Sequence, residues 1–219
     1  MPTDEPRTAT PSSTPTEPPE AFLPTVHRHA CSPGKVAVDV VLVMDTSTSM
    51  LEPTGQGDTT RLEAARKAAA AFALLFDPRF ARLAVVSFDE RAIDRTDGLT
   101  ADRAVVLAAL DRLTAAPGTR IDAGLALARM LLERPDHRDR ARVAVLLSDG
   151  GSPAEPALAE AGRLRSDGVR LFAIGLGADA DVDLLRALVS TPSDYRGAGD
   201  AADLAAIYRS IGAEITCRP

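Results

Sequence analysis

Residues 38–50, VDVVLVMDTSTSM, constrain the fold more than any other segment, because a continuous apolar run ends there in oxygen-bearing side chains. The run VVLVM is too short for a globular helix, and its β-branched residues are typical of a strand buried on both faces. Asp45, Ser47 and Ser49 follow at alternate positions. In an open α/β sheet, the loop after such a strand faces the crevice in which ligands bind. The segment therefore predicts a central strand followed by a site suited to a hard cation.

Two later motifs place further oxygen-bearing side chains beside predicted elements. Thr119 stands at the start of a helical pattern in GTRIDAGLALA, and Asp149 follows a buried apolar strand in LLSDGGS. Each also has an ordinary interpretation, because Thr is a common helix N-cap and Ser and Asp are common in turns. On its own, Thr119 is favoured as a cap, whereas Asp149, at the end of a parallel strand and beside two glycines, is favoured as a site residue.

The rest of the chain alternates strands with amphipathic helices, which predicts an α/β fold with a parallel sheet. Segment 91–99 predicts a hairpin into a short edge strand, which adds one antiparallel pair. After the first strand, the predicted strands cover residues 83–88, 143–147, 169–174 and 195–198, and the predicted helices cover residues 61–76, 101–113, 155–165, 181–188 and 201–215, with a further helix opening after Thr119.

The DTSTSM motif resembles the DxSxS motif of the von Willebrand factor type A domain, whose metal-ion-dependent adhesion site holds a divalent ion. Thr119 and Asp149 stand where that family places its second and third metal loops. The resemblance covers residues 37–215 and implies a doubly wound, mostly parallel central sheet with one short antiparallel edge strand and helices on both faces. It also implies Mg²⁺ or Mn²⁺ as the cofactor, held by five residues: Asp45, Ser47, Ser49, Thr119 and Asp149.

One residue departs from the family pattern. Thr48 stands where the family most often has Gly. A β-branched residue is strained at positive φ, so we expect a weakened metal site if this position requires that conformation.

The resemblance implies a protein-binding adhesion module rather than an enzyme, with a Glu or Asp carboxylate of the protein ligand completing the metal coordination. We expect a monomeric domain.

One alternative is an intracellular scaffold or assembly subunit of a chelatase- or ATPase-type complex that uses the same site. A metal-dependent hydrolase is the other, but a phosphatase of the haloacid dehalogenase type would need a second Asp where Ser47 stands. A serine hydrolase would need an oriented His, and His137 lies in a charged turn.

Composition excludes two classes of partner. The formal net charge is −6 and the sequence pI is near 5.1, with no basic stripe to neutralise phosphates, so we expect no nucleic acid ligand. No apolar stretch has the length needed to span a bilayer, so we expect no membrane span in this chain.

The amino-terminal segment of the chain differs in composition from the rest. Residues 1–30 carry seven of the 16 prolines among Ser, Thr and Glu, which predicts a linker or disordered tail before a type A domain at 31–219. Within that tail, His27 and His29 lack a third ligand at metal spacing.

Cys31 and Cys217 bracket the predicted domain, and we expect a disulfide between them. Such a bond implies an oxidising compartment, hence an extracellular or cell-surface protein whose upstream signal or anchor is absent from this chain. The alternative is a cytoplasmic protein with two free thiols.

Overall fold

A computed structural model describes residues 37–54, 58–133 and 139–216. The predicted linker at 1–30 and the predicted disulfide between Cys31 and Cys217 lie outside these residues. His27, His29 and the charged turn that contains His137 lie outside them as well.

A single six-stranded sheet forms the centre of the domain. Its strands lie in the order β3-β2-β1-β4-β5-β6, and every neighbouring pair is parallel except β2 and β3. The predicted mostly parallel sheet with one short antiparallel edge strand is therefore confirmed. The strands are β1 (Val38–Asp45), β2 (Ala81–Phe88), β3 (Ala92–Asp94), β4 (Ala141–Ser148), β5 (Arg170–Leu176) and β6 (Tyr195–Ala198).

Six α-helices cover both faces of this sheet, as the doubly wound fold requires. They are α1 (Arg61–Ala73), α2 (Arg103–Asp111), α3 (Ile121–Leu132), α4 (Ala154–Ser166), α5 (Val182–Leu188) and α6 (Ala201–Thr216). Helices α1, α2 and α6 pack in one hydrophobic layer, and α3, α4 and α5 pack in the other. None of the helices that the structure describes has both the length and the apolar character required to cross a bilayer.

Strand β1 lies between these two layers and supplies both of them. Val40, Leu42 and Met44 pack into the layer of α1, α2 and α6, while Val41 and Val43 pack into the opposite layer. All five side chains are fully buried. The alternation of side chains along a strand explains why one short apolar run stabilises two helical layers.

The predicted elements are all present, with small differences at their ends. Helix α1 ends at Ala73 rather than at Phe76, although Phe76 is itself buried. Asp77 begins the next turn, where its carboxylate accepts the backbone N–H of Arg79 at 3.0 Å. Strand β5 begins at Arg170, one residue later than predicted. Local hydrogen bonds of this kind decide where an element ends, and apolar periodicity does not report them.

Candidate functional site

Four loops at the carboxyl-end edge of the sheet line a cavity of about 370 Å³, and the fourth is the loop after β5, which contributes Asp179 and Asp181. Ser47 and Ser49 line it from the loop after β1, Thr119 from the loop before α3, and Asp149 from the loop after β4. The structure thus brings four of the five predicted ligands to one cavity. The fifth, Asp45, is fully buried and does not line the cavity.

The loop after β1 is folded by its own polar groups. Asp45 Oδ1 accepts the backbone N–H of Ser47 at 2.8 Å, and the Ser47 and Ser49 hydroxyl oxygens lie 2.9 Å apart. The backbone N–H of Thr46 donates to the Phe88 carbonyl at 2.8 Å, which extends the contact between β1 and β2 by one residue. The two serine oxygens therefore lie side by side at the cavity wall.

Thr48 does not carry the predicted strain. It begins a 3-10 turn over Thr48–Leu51, and Asp97 is the only non-glycine residue in the described ranges with a positive φ. A β-branched residue fits a negative φ without penalty. The expected weakening of the site by Thr48 therefore has no basis in the backbone.

Asp45 is held below the cavity by neutral donors. Its Oδ2 accepts a hydrogen bond from the Ser148 hydroxyl at 2.5 Å, while its Oδ1 is bonded to Ser47. Burial raises the pKa of the Asp45 carboxyl to about 6, although the hydrogen bonds from Ser148 and Ser47 oppose that shift. The negative charge of Asp149 adds to the rise in pKa. In the part of the chain that the structure describes, no arginine or lysine pairs with Asp45.

Thr119 is not a helix N-cap. Arg120 occupies the N-cap position of α3, with no side-chain capping bond, and the Thr119 hydroxyl has no hydrogen-bond partner among the described residues. Gly118 has a φ of 97°, and a Cβ atom there would lie 2.8 Å from the Glu90 backbone nitrogen. Thr119 therefore does not cap α3, and it lines the cavity instead.

The loop after β4 fixes Asp149 from several sides. Its Oδ1 accepts the backbone N–H of Gly151 at 3.4 Å, and its carbonyl accepts the backbone N–H of Asp181 at 2.8 Å. Gly150 has a φ of 84°, which a residue with a side chain adopts only with strain. The turn therefore links the loop after β4 to the loop before α5.

Four polar residues of this region were not predicted from the sequence: Ser148, Arg61, Asp179 and Asp181, the last of which lines the cavity. Ser148 bonds Asp45, and Arg61 contacts Asp149 at 3.5 Å and Asp179 at 2.5 Å. The signal for Ser148 was its position between the apolar run of β4 and Asp149. Arg61 and Asp179 carried no signal, because only the folded loops bring them together.

The donors at this cavity fit a small divalent cation. The predicted ligands, three hydroxyls and two carboxylates of which only Asp45 does not line the cavity, are all hard oxygen groups, the type that Mg²⁺ and Mn²⁺ prefer. No group of three or more His, Cys, Asp or Glu side chains in the described ranges is arranged to hold a metal. A cation at this site would therefore depend on hydroxyl oxygens as well as on carboxylates.

Comparison with known proteins assigns the family. The profile of the von Willebrand factor type A domain matches residues 40–152, which include the three loops that carry Ser47, Ser49, Thr119 and Asp149. A search of curated protein sequences finds no match.

Solved structures share the fold. One is proximal thread matrix protein 1 from the mussel byssus, in a structure with a zinc-occupied metal-ion-dependent adhesion site. It is 25% identical to this chain, with a TM-score of 0.70. The match covers 85% of this chain and 48% of the mussel protein. This chain thus spans about half of the mussel protein. The von Willebrand factor domain of the type V pilus tip protein Mfa5 from Porphyromonas gingivalis is 18% identical with a TM-score of 0.72, over 84% of this chain and 97% of that one.

The pilus adhesin SpaC from Lactobacillus rhamnosus GG is likewise 18% identical, with a TM-score of 0.70 over 84% of this chain and 31% of that one. At this level of identity, the likeness to SpaC and to Mfa5 is one of fold. Because the family profile matches more than half of the sequence, the chain belongs to the von Willebrand factor type A domain family.

Proposed function

We propose that this domain binds a divalent cation through Asp45, Ser47, Ser49, Thr119 and Asp149, and uses it to bind a protein. The observation that carries the proposal is the buried Asp45 carboxylate, which has neutral hydrogen-bond donors but no cationic partner among the described residues. A buried charge is costly unless a countercharge lies near it. A divalent cation in the adjoining cavity would supply that countercharge.

The donor set indicates how the cation would act. Two carboxylates balance a divalent charge, and the hydroxyl oxygens of Ser47, Ser49 and Thr119 add none. The two carboxylates would only just neutralise the cation, which would therefore remain electrophilic towards a further oxygen ligand. When bound, it supplies an electrophilic position for a carboxylate, while Asp45 orients the first loop through the Ser47 N–H.

The ligand that fits this chemistry is an exposed Glu or Asp of a partner protein. The structural relatives named above are, by their names, a matrix protein, a pilus tip protein and a pilus adhesin. These names support an adhesion or interaction role rather than an enzymatic one. Mg²⁺ and Mn²⁺ suit an oxygen-only site, whereas the mussel protein holds zinc.

Titration calorimetry with Mn²⁺ tests the metal site. We expect one site in the parent protein, and an affinity about 10- to 100-fold lower in Asp149→Asn, which removes charge from the cavity wall. Asp183→Asn is the matched control, because it removes an exposed carboxylate of the first turn of α5 that does not line the cavity. Absence of Mn²⁺ binding by the parent, or equal affinities of the parent and Asp149→Asn, would rule out this site.

A second measurement on the Mn²⁺-loaded parent tests the open position. The relaxation of water protons reports water bound to Mn²⁺. A peptide with one Glu should lower that relaxation by displacing bound water, and its Gln counterpart should not. Equal effects of the two peptides would contradict carboxylate binding.

We also propose that residues 31–219 form the domain behind a linker at 1–30, closed by a Cys31–Cys217 disulfide in an extracellular or cell-surface setting. The ends of the described chain support this pairing. The Ala37 carbonyl accepts a hydrogen bond from the backbone N–H of Ala141, at the start of β4. Glu214, near the end of α6, forms an ion pair with Arg170 at the start of β5. Both ends therefore lie at the amino-end edge of the sheet. Mass determination with and without reductant tests the bond.

A further inference from the structure

Arg61 is a buried cation at the edge of the cavity. It is the first residue of α1, and only 8% of its side chain is exposed. One guanidinium nitrogen, Nη1, donates to Asp149 Oδ2 at 3.5 Å and to Asp179 Oδ2 at 3.2 Å. The other, Nη2, contacts Asp179 Oδ1 at 2.5 Å and Glu52 Oε2 at 3.2 Å. The guanidinium therefore joins a proposed metal ligand to two carboxylates of the rim.

The first turn of α1 and Gly177 together fix the position of this guanidinium. Thr60 caps α1, since its hydroxyl accepts the Glu63 N–H and the Glu63 carboxylate accepts the Thr60 N–H, which fixes the first turn of the helix. Gly177 has a φ of 101°, and a Cβ atom there would lie 2.8 Å from Arg61 Cζ. Only a residue without a side chain leaves room for Arg61 at this point. The buried Nε of Arg61 has no hydrogen-bond partner among the described residues. The surroundings of Arg61 therefore fix its charge without satisfying all of its N–H donors.

The three carboxylates around Arg61 are not equivalent. The side chains of Asp179 and Glu52 are each 57% exposed, so water screens their charges, whereas that of Asp149 is 8% exposed. Asp179 holds the guanidinium through two close contacts, and Asp149 holds it through one long contact. Arg61 therefore lies close enough to oppose a cation at Asp149, yet it is drawn towards the rim.

We propose that Arg61 and Asp179 together set the cation affinity of this site, a proposal that rests on the proposed metal-binding function. Arg61 lowers the affinity by placing a positive charge beside Asp149. Asp179 limits that effect by holding the guanidinium away from Asp149. When a divalent cation is bound, Arg61 offsets part of the negative charge of Asp149, Asp179 and Glu52 beside it.

Mn²⁺ affinities of two variants test the pair, because the expected changes have opposite signs. Arg61→Gln removes the repelling charge and should tighten Mn²⁺ binding by about tenfold, given the strength of charge interactions at such distances. Asp179→Asn removes the closest partner of Arg61, leaves the guanidinium to Glu52 and Asp149, and should weaken Mn²⁺ binding by roughly threefold to tenfold. Arg61→Lys retains the charge and should stay near the parent.

Matched controls remove equal charges elsewhere. Arg66→Gln removes a neighbouring arginine of α1 that pairs with Asp111, and Asp183→Asn removes an exposed carboxylate of α5; neither should change the affinity. A purely structural role of Arg61 predicts weaker Mn²⁺ binding in both Arg61→Gln and Asp179→Asn. Weaker binding in both of these variants, or no change in either, would overturn the proposal. A parent that binds no Mn²⁺ would instead contradict the metal site itself. Circular dichroism confirms that each variant is folded.

Discussion

Strand β1 carries a fully buried aspartate at each end, and the two are stabilised in different ways. Asp39, at the amino end, accepts hydrogen bonds from Arg82 Nε and Arg140 Nε, each at 2.8 Å. Asp45, at the carboxyl end, accepts hydrogen bonds only from Ser47 and Ser148 among the described residues. The protein thus supplies countercharges for Asp39, and neutral donors for Asp45.

Burial alone therefore does not identify a site. Asp39 belongs to a complete ion-paired group, which holds the starts of β1, β2 and β4 together. Asp45 lies beside a cavity lined by hydroxyls, and burial raises its pKa to about 6 because its charge is only partly compensated. A buried carboxylate whose countercharge is missing from the described protein is the better indicator of a cation site.

The largest expected effect on stability is at the amino end. Asp39→Asn leaves Arg82 and Arg140 without their shared carboxylate and turns an acceptor into a donor beside them. We expect a loss of about 3 kcal/mol in the free energy of unfolding, as for other broken buried pairs. For a domain of this size the melting temperature should fall by on the order of 10 °C.

Thermal and urea unfolding measure this loss, with Asp111→Asn as the control for an exposed carboxylate that also pairs with an arginine. Mn²⁺ affinity should be unchanged in Asp39→Asn, because the two ends of β1 are separate. A stability equal to that of Asp111→Asn would show that the arginines do not depend on Asp39.

The smallest expected effect is at the surface, where Asp77 pairs with the exposed Arg79. The hydrogen bond from Arg79 lowers the pKa of Asp77 from 3.8 to about 2. The stabilisation from this pair is therefore present above pH 3.8 and is lost as pH falls through about 2. Solvent screening keeps it small.

Melting temperatures of the parent and Asp77→Asn, measured from pH 7 down to pH 2, test this expectation. The parent should melt slightly higher at neutral pH, and the two proteins should converge near pH 2. A difference that widens on acidification would mean that Asp77 does not gain stability from its charged form.

The fold could be predicted because its signals are local. The apolar run of β1 and the spacing of Ile121, Leu125, Ala128 and Leu132 in α3 each reflect burial within one element, and all four α3 side chains are fully buried. The ends of elements were less accurate, as at Ala73, because single side-chain hydrogen bonds determine them.

The candidate site was predicted only in part, for a physical reason. Ser47, Ser49, Thr119 and Asp149 stand in motifs beside strands and helices, and they line one cavity. The contacts of Arg61 with Asp149 and Asp179 span 88 and 118 residues of sequence. No local pattern encodes contacts across such separations, which depend on how the loops meet in the folded domain.

The most direct test compares the melting temperatures of the parent and Asp45→Asn at pH 7, with a chelator and with excess Mn²⁺. In chelator, Asp45→Asn should melt within a few degrees of the parent, because an amide keeps the Ser47 bond and removes a buried charge. At Mn²⁺ about 100-fold above its Kd, the parent should gain about 2.7 kcal/mol and Asp45→Asn almost nothing. Equal gains in Mn²⁺, or a variant that is already unstable in chelator, would place Asp45 with Asp39 as a structural residue.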